Sequence, residues 1–250
     1  MEVITIICAR GGSKRLPRKN VKIFAGRPLI AWTIIQSRAC PLIRETYVTT
    51  DDEEIADVSR EYGATVLMRE NPVESLDTTS GGYVYGQTAR RLAKEQDFDG
   101  AVNLMATSPL LKPGDIDRLI TLWARSGWAK VGIGVFWAAP QTDTFIYKRV
   151  GENMCEPVIR DKSRAYMVEA GGGSINSLGA ILAVPENPAD TRIFPKTGPN
   201  AKIDYAPRPY VEMEGWQHPE IDTQWEFDLC EYFFNLYLKE TWEDIYGRLA

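Results

Sequence analysis

The first half of the chain alternates between short apolar runs and longer helix-like segments, and this alternation constrains the fold more than any other feature. The run Val3 to Cys8 is rich in β-branched residues and ends at Gly11-Gly12, which predicts a buried strand followed by a loop. Strand, loop and helix recur four times in this half. The predicted strands are 3–8, 45–50, 64–68 and 101–105. The predicted helices are 29–38, a helix that starts at the acidic run 51–54 and ends near 63, 79–95 and 115–125. The pattern is typical of a parallel sheet with helices on both faces, which binds ligands at the carboxyl ends of its strands.

The second half of the chain breaks this rhythm. Strands are predicted at 130–136, 145–149 and 179–184, a glycine-rich turn at 171–174, a proline-rich loop at 185–209 and a long aromatic helical stretch at 223–249. The aromatic side chains of the last stretch favour a core or a dimer face over a cofactor site: Trp225, Phe227, Tyr232, Phe233, Phe234, Tyr237 and Trp242.

Charge and cysteine content exclude several classes of protein. The 250 residues carry 34 acidic and 29 basic side chains, whereas nucleic-acid or anionic-membrane binding favours an excess of Lys and Arg. The four cysteines form no Cys-x-x-Cys pair and His218 is the single histidine, so no structural zinc site is expected. No apolar run approaches the roughly 18 residues that span a bilayer, and no signal peptide is visible. We therefore expect a soluble, cytoplasmic protein that binds neither nucleic acid nor membranes.

A basic loop directly follows the first predicted strand. Residues 10–27 contain seven Lys or Arg and no acidic residue, although the net charge of the chain is −5. Gly11 and Gly12 would let backbone N–H groups approach a phosphate closely, and Ser13 adds a small donor. The spacing matches neither the G-x-x-x-x-G-K-[ST] loop nor G-x-G-x-x-G. A basic run is usually a solvated loop, but this position at the end of a strand favours phosphate binding.

The loop and several later motifs resemble the CMP-sialic acid synthetases (acylneuraminate cytidylyltransferases), a family that includes the pseudaminic and legionaminic acid enzymes. The resemblance covers nearly all of the first 115 residues and a short stretch near 222. The matching segments occur in the order of the family and are 9–14 (ARGGSK), 17–20 (PRKN), 26–30 (GRPLI), 48–56 (VTTDDEEIA), Arg69, 77–78 (DT), 107–110 (TSPL) and 221–223 (IDT).

The resemblance implies a three-layer α/β nucleotidyltransferase fold, Rossmann-like with a mostly parallel sheet, and a Mg²⁺-dependent reaction. The anomeric hydroxyl of a nine-carbon α-keto acid sugar would attack the α-phosphorus of CTP, and the products would be a CMP-sugar and pyrophosphate. It also implies a homodimer. The whole chain would form a single domain, 1–250, in which residues 130–185 form a smaller subdomain for dimerisation or acceptor binding.

The site residues that the resemblance implies fall into two groups. Three catalytic cations would hold the triphosphate: Arg10, Lys14 and Lys19. Four further residues would contact the cytidine through its base or ribose: Asn20, Arg69, Thr79 and Ser80. Such roles agree with the chemistry, because in-line phosphoryl transfer needs positioning and charge neutralisation more than covalent help.

Two carboxylates near the C-terminal helical stretch are candidate Mg²⁺ ligands. Glu220 and Asp222 are two residues apart, so on an extended segment both would point to one face. The resembling family usually has Asp-x-Asp here, and Glu220 is a departure from that pattern. The alternative is that Asp222-Thr223 caps the following helix, with Glu226 as the partner in a capping box. Both roles are compatible.

The acceptor half of the predicted site departs further from the family. Met105, Ala106 and Leu111 stand where the family often has Gln, Pro and Arg, and Arg15 replaces a frequent glycine. Three residues downstream could bind an acceptor carboxylate, although ordinary surface charge explains them equally well: Arg160, Arg164 and Tyr166. From the resemblance we expect cytidylylation of a sialic, pseudaminic or legionaminic type of acid, and the altered acceptor positions keep other acceptors open. The alternatives are another acid, such as an octulosonate or a phosphonate, or a nucleotide-binding homologue without catalysis.

Overall fold

The computed structural model describes residues 1–79, 81–126, 130–137, 147–151, 154–157, 174–183, 208–217 and 220–249. Its strands are β1 (Val3–Cys8), β2 (Ile23–Phe24), β3 (Arg27–Pro28), β4 (Ile43–Thr50), β5 (Thr65–Met68), β6 (Gly100–Leu104), β7 (Lys130–Trp137), β8 (Tyr147–Gly151), β9 (Met154–Pro157), β10 (Ser174–Ala183) and β11 (Arg208–Met213). Its α-helices are α1 (Leu29–Ala39), α2 (Glu53–Glu61), α3 (Gly81–Leu92), α4 (Asp115–Ser126), α5 (Gln224–Tyr237) and α6 (Lys239–Leu249).

One twisted sheet organises these elements. Its order within the described residues is β5-β4-β1-β6-β10-β7-β11-β9-β8, and β2 and β3 form a separate small hairpin. Strands β5, β4, β1 and β6 are mutually parallel, β10 is antiparallel to both of its neighbours, and β11 is parallel to β7. The mostly parallel sheet confirms the predicted fold class, and the four strand–helix units of the first half lie where the sequence predicts them.

Helices bury both faces of the sheet, which explains why β1 is a continuous apolar run. Val3 and Ile7 contribute to a large core with α1, α4, α5 and α6, whereas Ile4 and Ile6 pack with Tyr85 of α3 on the opposite face. These four side chains of β1 are fully buried. A strand between two helical layers has no polar face, so strict alternation of apolar and polar residues is not required.

Helix α1 lies at the centre of the larger core. Trp32 is fully buried, and its indole N–H donates to the carbonyl of Phe24 at 2.8 Å. Two polar residues of this helix are also buried and bonded to neighbouring elements: the Gln36 amide donates to the Pro109 carbonyl at 2.6 Å, and Ser37 bonds the Thr46 hydroxyl at 2.7 Å. These bonds connect α1 to the loop after β6 and to β4, so the helix supports the carboxyl edge of the sheet.

The second half differs from the predictions in several elements. Strand β10 begins at Ser174, before the predicted start at 179, and β11 includes the end of the predicted loop 185–209. Strand β9 was not predicted. The C-terminal stretch is two helices, because Leu238 has non-helical angles (φ −124°, ψ −29°) and ends α5.

The segment 130–185 contributes strands β7 and β10 to the middle of the sheet and β8 and β9 to its edge. Its role in dimerisation or acceptor binding remains a prediction. In the C-terminal stretch, Phe227, Phe234 and Trp242 are buried, as predicted for core residues. None of the helices in the described segments is long and apolar enough to cross a membrane.

Candidate functional site

A cleft of about 600 Å³ opens at the carboxyl ends of β1, β5 and β6. The basic loop after β1 forms one wall, and the loop before α3 forms another. The turn after β6 and the segment before α5 complete the lining. This is the edge of the sheet at which parallel α/β proteins bind ligands.

The cleft brings together most of the residues that the sequence predicts for the site. The predicted residues that line it are Arg10, Ser13, Lys14, Lys19, Asn20, Arg69, Thr79, Glu220 and Asp222. Gly11 and Gly12 belong to the same loop but are not part of the lining. Four further candidates lie outside the described residues: Ser80, Arg160, Arg164 and Tyr166.

Two cations of the loop share one carboxylate. Arg10 Nη1 lies 2.9 Å from Asp77 Oδ1, and the Lys14 ammonium contacts the other oxygen of Asp77. The Asp77 side chain is 41% exposed, and the pKa of its carboxyl is lowered, mainly by the bond from Lys14. Asp77 also lines the cleft, and sequence reasoning gave it no role. Its position on a separate loop leaves no local signal for this pairing.

A second carboxylate, Asp222, holds two further cations. Lys19 Nζ lies 3.0 Å from Asp222 Oδ1 and also donates to the carbonyl of Ile221, while Arg15 Nη2 lies 2.9 Å from Asp222 Oδ2. Lys19 is 8% exposed, so it presents its charge from a largely desolvated position. Arg15 is a cleft residue that the sequence reasoning treated only as a departure from the family.

Asn20 and Arg69 are held by main-chain bonds. The Asn20 amide donates to the Arg10 carbonyl at 3.0 Å, and its buried Oδ1 has no partner among the described residues. Arg69 donates to the carbonyls of Glu74 and Thr49 at 2.9 and 3.1 Å. Arg69 thus connects the loop before α3 to β4, and Asn20 lines the cleft with its amide held by the basic loop.

The side chain of Thr223, and not that of Asp222, caps helix α5. Thr223 Oγ1 accepts from the Glu226 amide, and the Glu226 carboxylate accepts from the amides of Asp222 and Thr223 at 2.8 and 2.7 Å. The predicted capping box is therefore confirmed. It leaves the Asp222 carboxylate directed to Lys19 and Arg15 in the cleft.

Glu220 and Asp222, the two predicted metal ligands, both line the cleft. Glu220 Oε1 accepts from the Thr107 hydroxyl at 3.0 Å, and burial raises the pKa of the Glu220 carboxyl. The described residues contain no group of three or more His, Cys, Asp or Glu side chains that could hold a metal. Mg²⁺ characteristically binds one or two carboxylates together with substrate phosphates, so these two residues suit an ion shared with a nucleotide.

The departures from the family differ in their relation to the cleft. Met105 and Ala106 line it next to Thr107. Leu111 does not, because its side chain is 2% exposed in the core and its carbonyl accepts from Trp242 Nε1 at 3.0 Å. Leu111 therefore belongs to the core and not to the described cleft.

Comparison with solved structures supports the same fold. The chain superimposes on the structure of CMP:2-keto-3-deoxy-manno-octonic acid synthetase in complex with CTP with a TM-score of 0.67. The superposition covers 95% of this chain and 100% of that one at 15% sequence identity. At this identity the similarity establishes the fold alone.

Comparison of sequences identifies relatives over about half of the chain. The chain is 36% identical over 137 residues to the CMP-N,N'-diacetyllegionaminic acid synthase of Legionella pneumophila, which is 53% of this chain and 58% of the relative. It is 38% identical over 112 residues to the pseudaminic acid cytidylyltransferase of Campylobacter jejuni, which is 44% of this chain and 48% of the relative. The chain thus spans about half the length of these relatives.

A model of one protein family matches more than half of the chain. The match runs from residue 4 to residue 146 and includes the basic loop, Asp77 and the turn after β6. Most of the residues that line the cleft therefore lie within the segment that matches the family. The chain belongs to the cytidylyltransferase family.

Proposed function

We propose that the protein transfers the cytidylyl group of CTP to a hydroxyl of an acidic nonulosonate sugar and releases pyrophosphate. The observation that carries the proposal is the cleft of a cytidylyltransferase-family chain in which Arg10, Lys14, Arg15 and Lys19 surround about 600 Å³ at the carboxyl edge of the sheet. Clustered cations there suit a polyphosphate, because electrostatic stabilisation is the main requirement of phosphoryl transfer.

The position of each residue in the cleft suggests which part of CTP it would contact. Arg10, Lys14 and Lys19 would bind the triphosphate and stabilise the leaving pyrophosphate. The unpartnered Oδ1 of Asn20 would accept a hydrogen bond from the nucleoside. Thr79, Arg69 and the region of Ser80 would complete the wall around the base or ribose.

We further propose that Asp222 and Glu220 hold Mg²⁺ jointly with the phosphates. When bound, the ion would neutralise negative charge on the phosphate oxygens. Asp222 would be the principal ligand, because its partly exposed carboxylate lines the cleft, and the ion would share or replace its contacts with Lys19 and Arg15. Burial raises the pKa of the Glu220 carboxyl, so a cation held beside it would stabilise its charged form.

The proposed acceptor class follows from the relatives, two of which are named for legionaminic and pseudaminic acid. We propose that a second chain completes a cytoplasmic homodimer. Exposed side chains on α5, among them Trp225 and Tyr232, offer apolar surface for contacts between chains. Sedimentation equilibrium of the purified chain tests the dimer.

Pyrophosphate release tests the reaction and the acceptor together. The purified protein is supplied with CTP and Mg²⁺ and with one acid at a time: sialic, pseudaminic and legionaminic acids, the eight-carbon octulosonate and a simple phosphonate. Release with a nonulosonate supports the proposal and names the substrate. Release only with the octulosonate or phosphonate would replace the acceptor class. CTP binding without release across the panel would favour a non-catalytic homologue.

Replacing Asp77 with asparagine is expected to tighten CTP binding about three- to tenfold, as measured by isothermal titration calorimetry. Without a ligand, the Asp77 carboxylate forms ion pairs with Arg10 and Lys14. A triphosphate must therefore replace this carboxylate, which is also negatively charged, as the partner of the two cations. Glu74→Gln is the matched control, because Glu74 lines the same cleft and makes no ion pair with another described residue. Weaker binding by Asp77→Asn would show that Asp77 organises the two cations and does not compete with the ligand.

A further inference from the structure

The start of the basic loop lies against the side chain of Asp52. A Cβ atom added at Gly11 would clash with the Asp52 carboxylate, so only glycine permits this close approach. The Gly11 N–H donates to Asp51 Oδ1 at 2.9 Å, so this backbone donor faces the acidic turn. Gly11 therefore connects the loop to the turn before α2.

The end of the loop is bound to the same carboxylate. Arg18 Nη1 donates to Asp52 Oδ2 at 2.5 Å and Arg18 Nη2 donates to Asp52 Oδ1 at 3.0 Å, while Glu54 contacts the same guanidinium. Arg18 has φ +56°, a left-handed conformation that is unfavourable for a residue with a side chain. The bidentate pair with Asp52 offsets this cost.

The bend at Arg18 directs the next residues into the cleft. The Arg18 carbonyl accepts from the amides of Val21 and Lys22 at 3.1 and 3.0 Å and starts the short 3-10 helix Lys19–Val21. Lys19 and Asn20 on this helix both line the cleft and are both buried. Their positions therefore depend on the conformation at residue 18.

Asp52 also holds the N-terminus of α2. Its Oδ1 accepts from the Ile55 amide at 3.0 Å, which caps the helix as the sequence predicts. The side chain is 20% exposed, and the pKa of the carboxyl is lowered, mainly by the bond from Arg18. One carboxylate thus contacts both ends of the loop and a helix of the scaffold, but it does not line the cleft.

We propose that Asp52 is a positioning residue of the nucleotide site, which sets the shape of residues 11–20 without touching the nucleotide. By the same geometry Arg18 is part of this support and not one of the phosphate ligands, although it belongs to the basic loop. The proposal rests on the proposed function, since the loop is argued to hold the triphosphate. Asp52 would thus act on the site indirectly, through the positions of Lys19 and Asn20.

Asp52→Asn tests the proposal, because asparagine caps helices as well as aspartate but cannot form the ion pair. We expect the KM for CTP to rise about tenfold with kcat changed less than about threefold, since the ion pair supports binding geometry. Amide hydrogen exchange of residues 11–22, measured without nucleotide, is expected to accelerate. The matched control is Asp57→Asn, which removes an exposed ion pair with Arg60 from the same helix.

A rescue experiment separates positioning from general destabilisation. Glycine adopts positive φ freely, so adding Arg18→Gly to Asp52→Asn is expected to recover most of the loss in KM. Unchanged KM and unchanged exchange in Asp52→Asn would overturn the proposal and leave Asp52 as a helix cap only. A loss that Arg18→Gly does not relieve would also overturn it. Failure of the wild-type chain to bind CTP would instead overturn the proposed function, whereas the exchange measurement would still report on the loop.

Discussion

Replacing Lys19 with methionine is expected to weaken CTP binding about a hundredfold, as measured by calorimetry without acceptor. Lys19 is 8% exposed at the cleft wall, so its charge is poorly screened by water and acts strongly on a bound phosphate. The change also leaves Asp222 with one cation fewer, and its carboxylate would then repel the triphosphate more strongly. Methionine preserves the packing of the aliphatic stem.

Lys22→Met provides the matched control for this experiment. Lys22 follows the same short helix, but its ammonium lies over the ring of Phe227 at 5.2 Å and does not line the cleft. We expect its replacement to change CTP affinity less than about twofold, because the charge lies outside the site. Equal effects of both substitutions would mean that the net charge of the loop matters and that Lys19 has no specific contact. Unchanged affinity in Lys19→Met would remove Lys19 from the site.

Asp222→Asn is expected to lower turnover at least about a thousandfold while CTP still binds, because it removes the principal candidate ligand of Mg²⁺. Pyrophosphate release at saturating CTP and acceptor, measured over a range of Mg²⁺ concentrations, provides the readout. The fold should survive, since the cap of α5 uses the Thr223 and Glu226 side chains and only the backbone amide of Asp222.

Thr223→Ala separates capping from catalysis. It removes the side-chain acceptor for the Glu226 amide and should lower the free energy of unfolding by about 1 kcal/mol, with turnover retained. Thermal unfolding of both variants completes the comparison. Full turnover of Asp222→Asn with an unaltered Mg²⁺ dependence would show that this carboxylate does not bind the metal.

Local sequence patterns were sufficient to predict the first half of the sheet. The β-branched run of β1, the acidic start of α2 and the glycine after it, Gly63, are signals that act over a few residues, and the structure has each element there. The sequence also predicted that the loop after β1 would contribute to a site. Arg10, Lys14 and Lys19 all line the cleft, although their roles toward a nucleotide remain predictions.

The partners of these cations could not be predicted in the same way. Lys19 meets Asp222, which is 203 positions later in the chain, and such a contact is set by packing of the finished fold. The acidic run 51–54 was interpreted as a helix start, which is correct for Asp52. Asp52 also holds Arg18, and this contact depends on the left-handed backbone conformation of residue 18. A glycine would have indicated such a conformation in the sequence, but the residue there is arginine. Strand β11 was missed because it follows a proline-rich segment with no periodic pattern.

The central, antiparallel position of β10 has a consequence for how the chain folds. Strands β5, β4, β1 and β6 all come from the first 104 residues, so they can assemble before the later strands are available. One edge of β6 then stays open until β10 arrives, and Ile181 must find Val102 across a long stretch of chain. Pairing at such separation is slow, and an open apolar edge recruits other chains. Fragments that end after α4 would lack β10 and leave this edge of β6 unpaired, so they are expected to aggregate more readily than the whole chain.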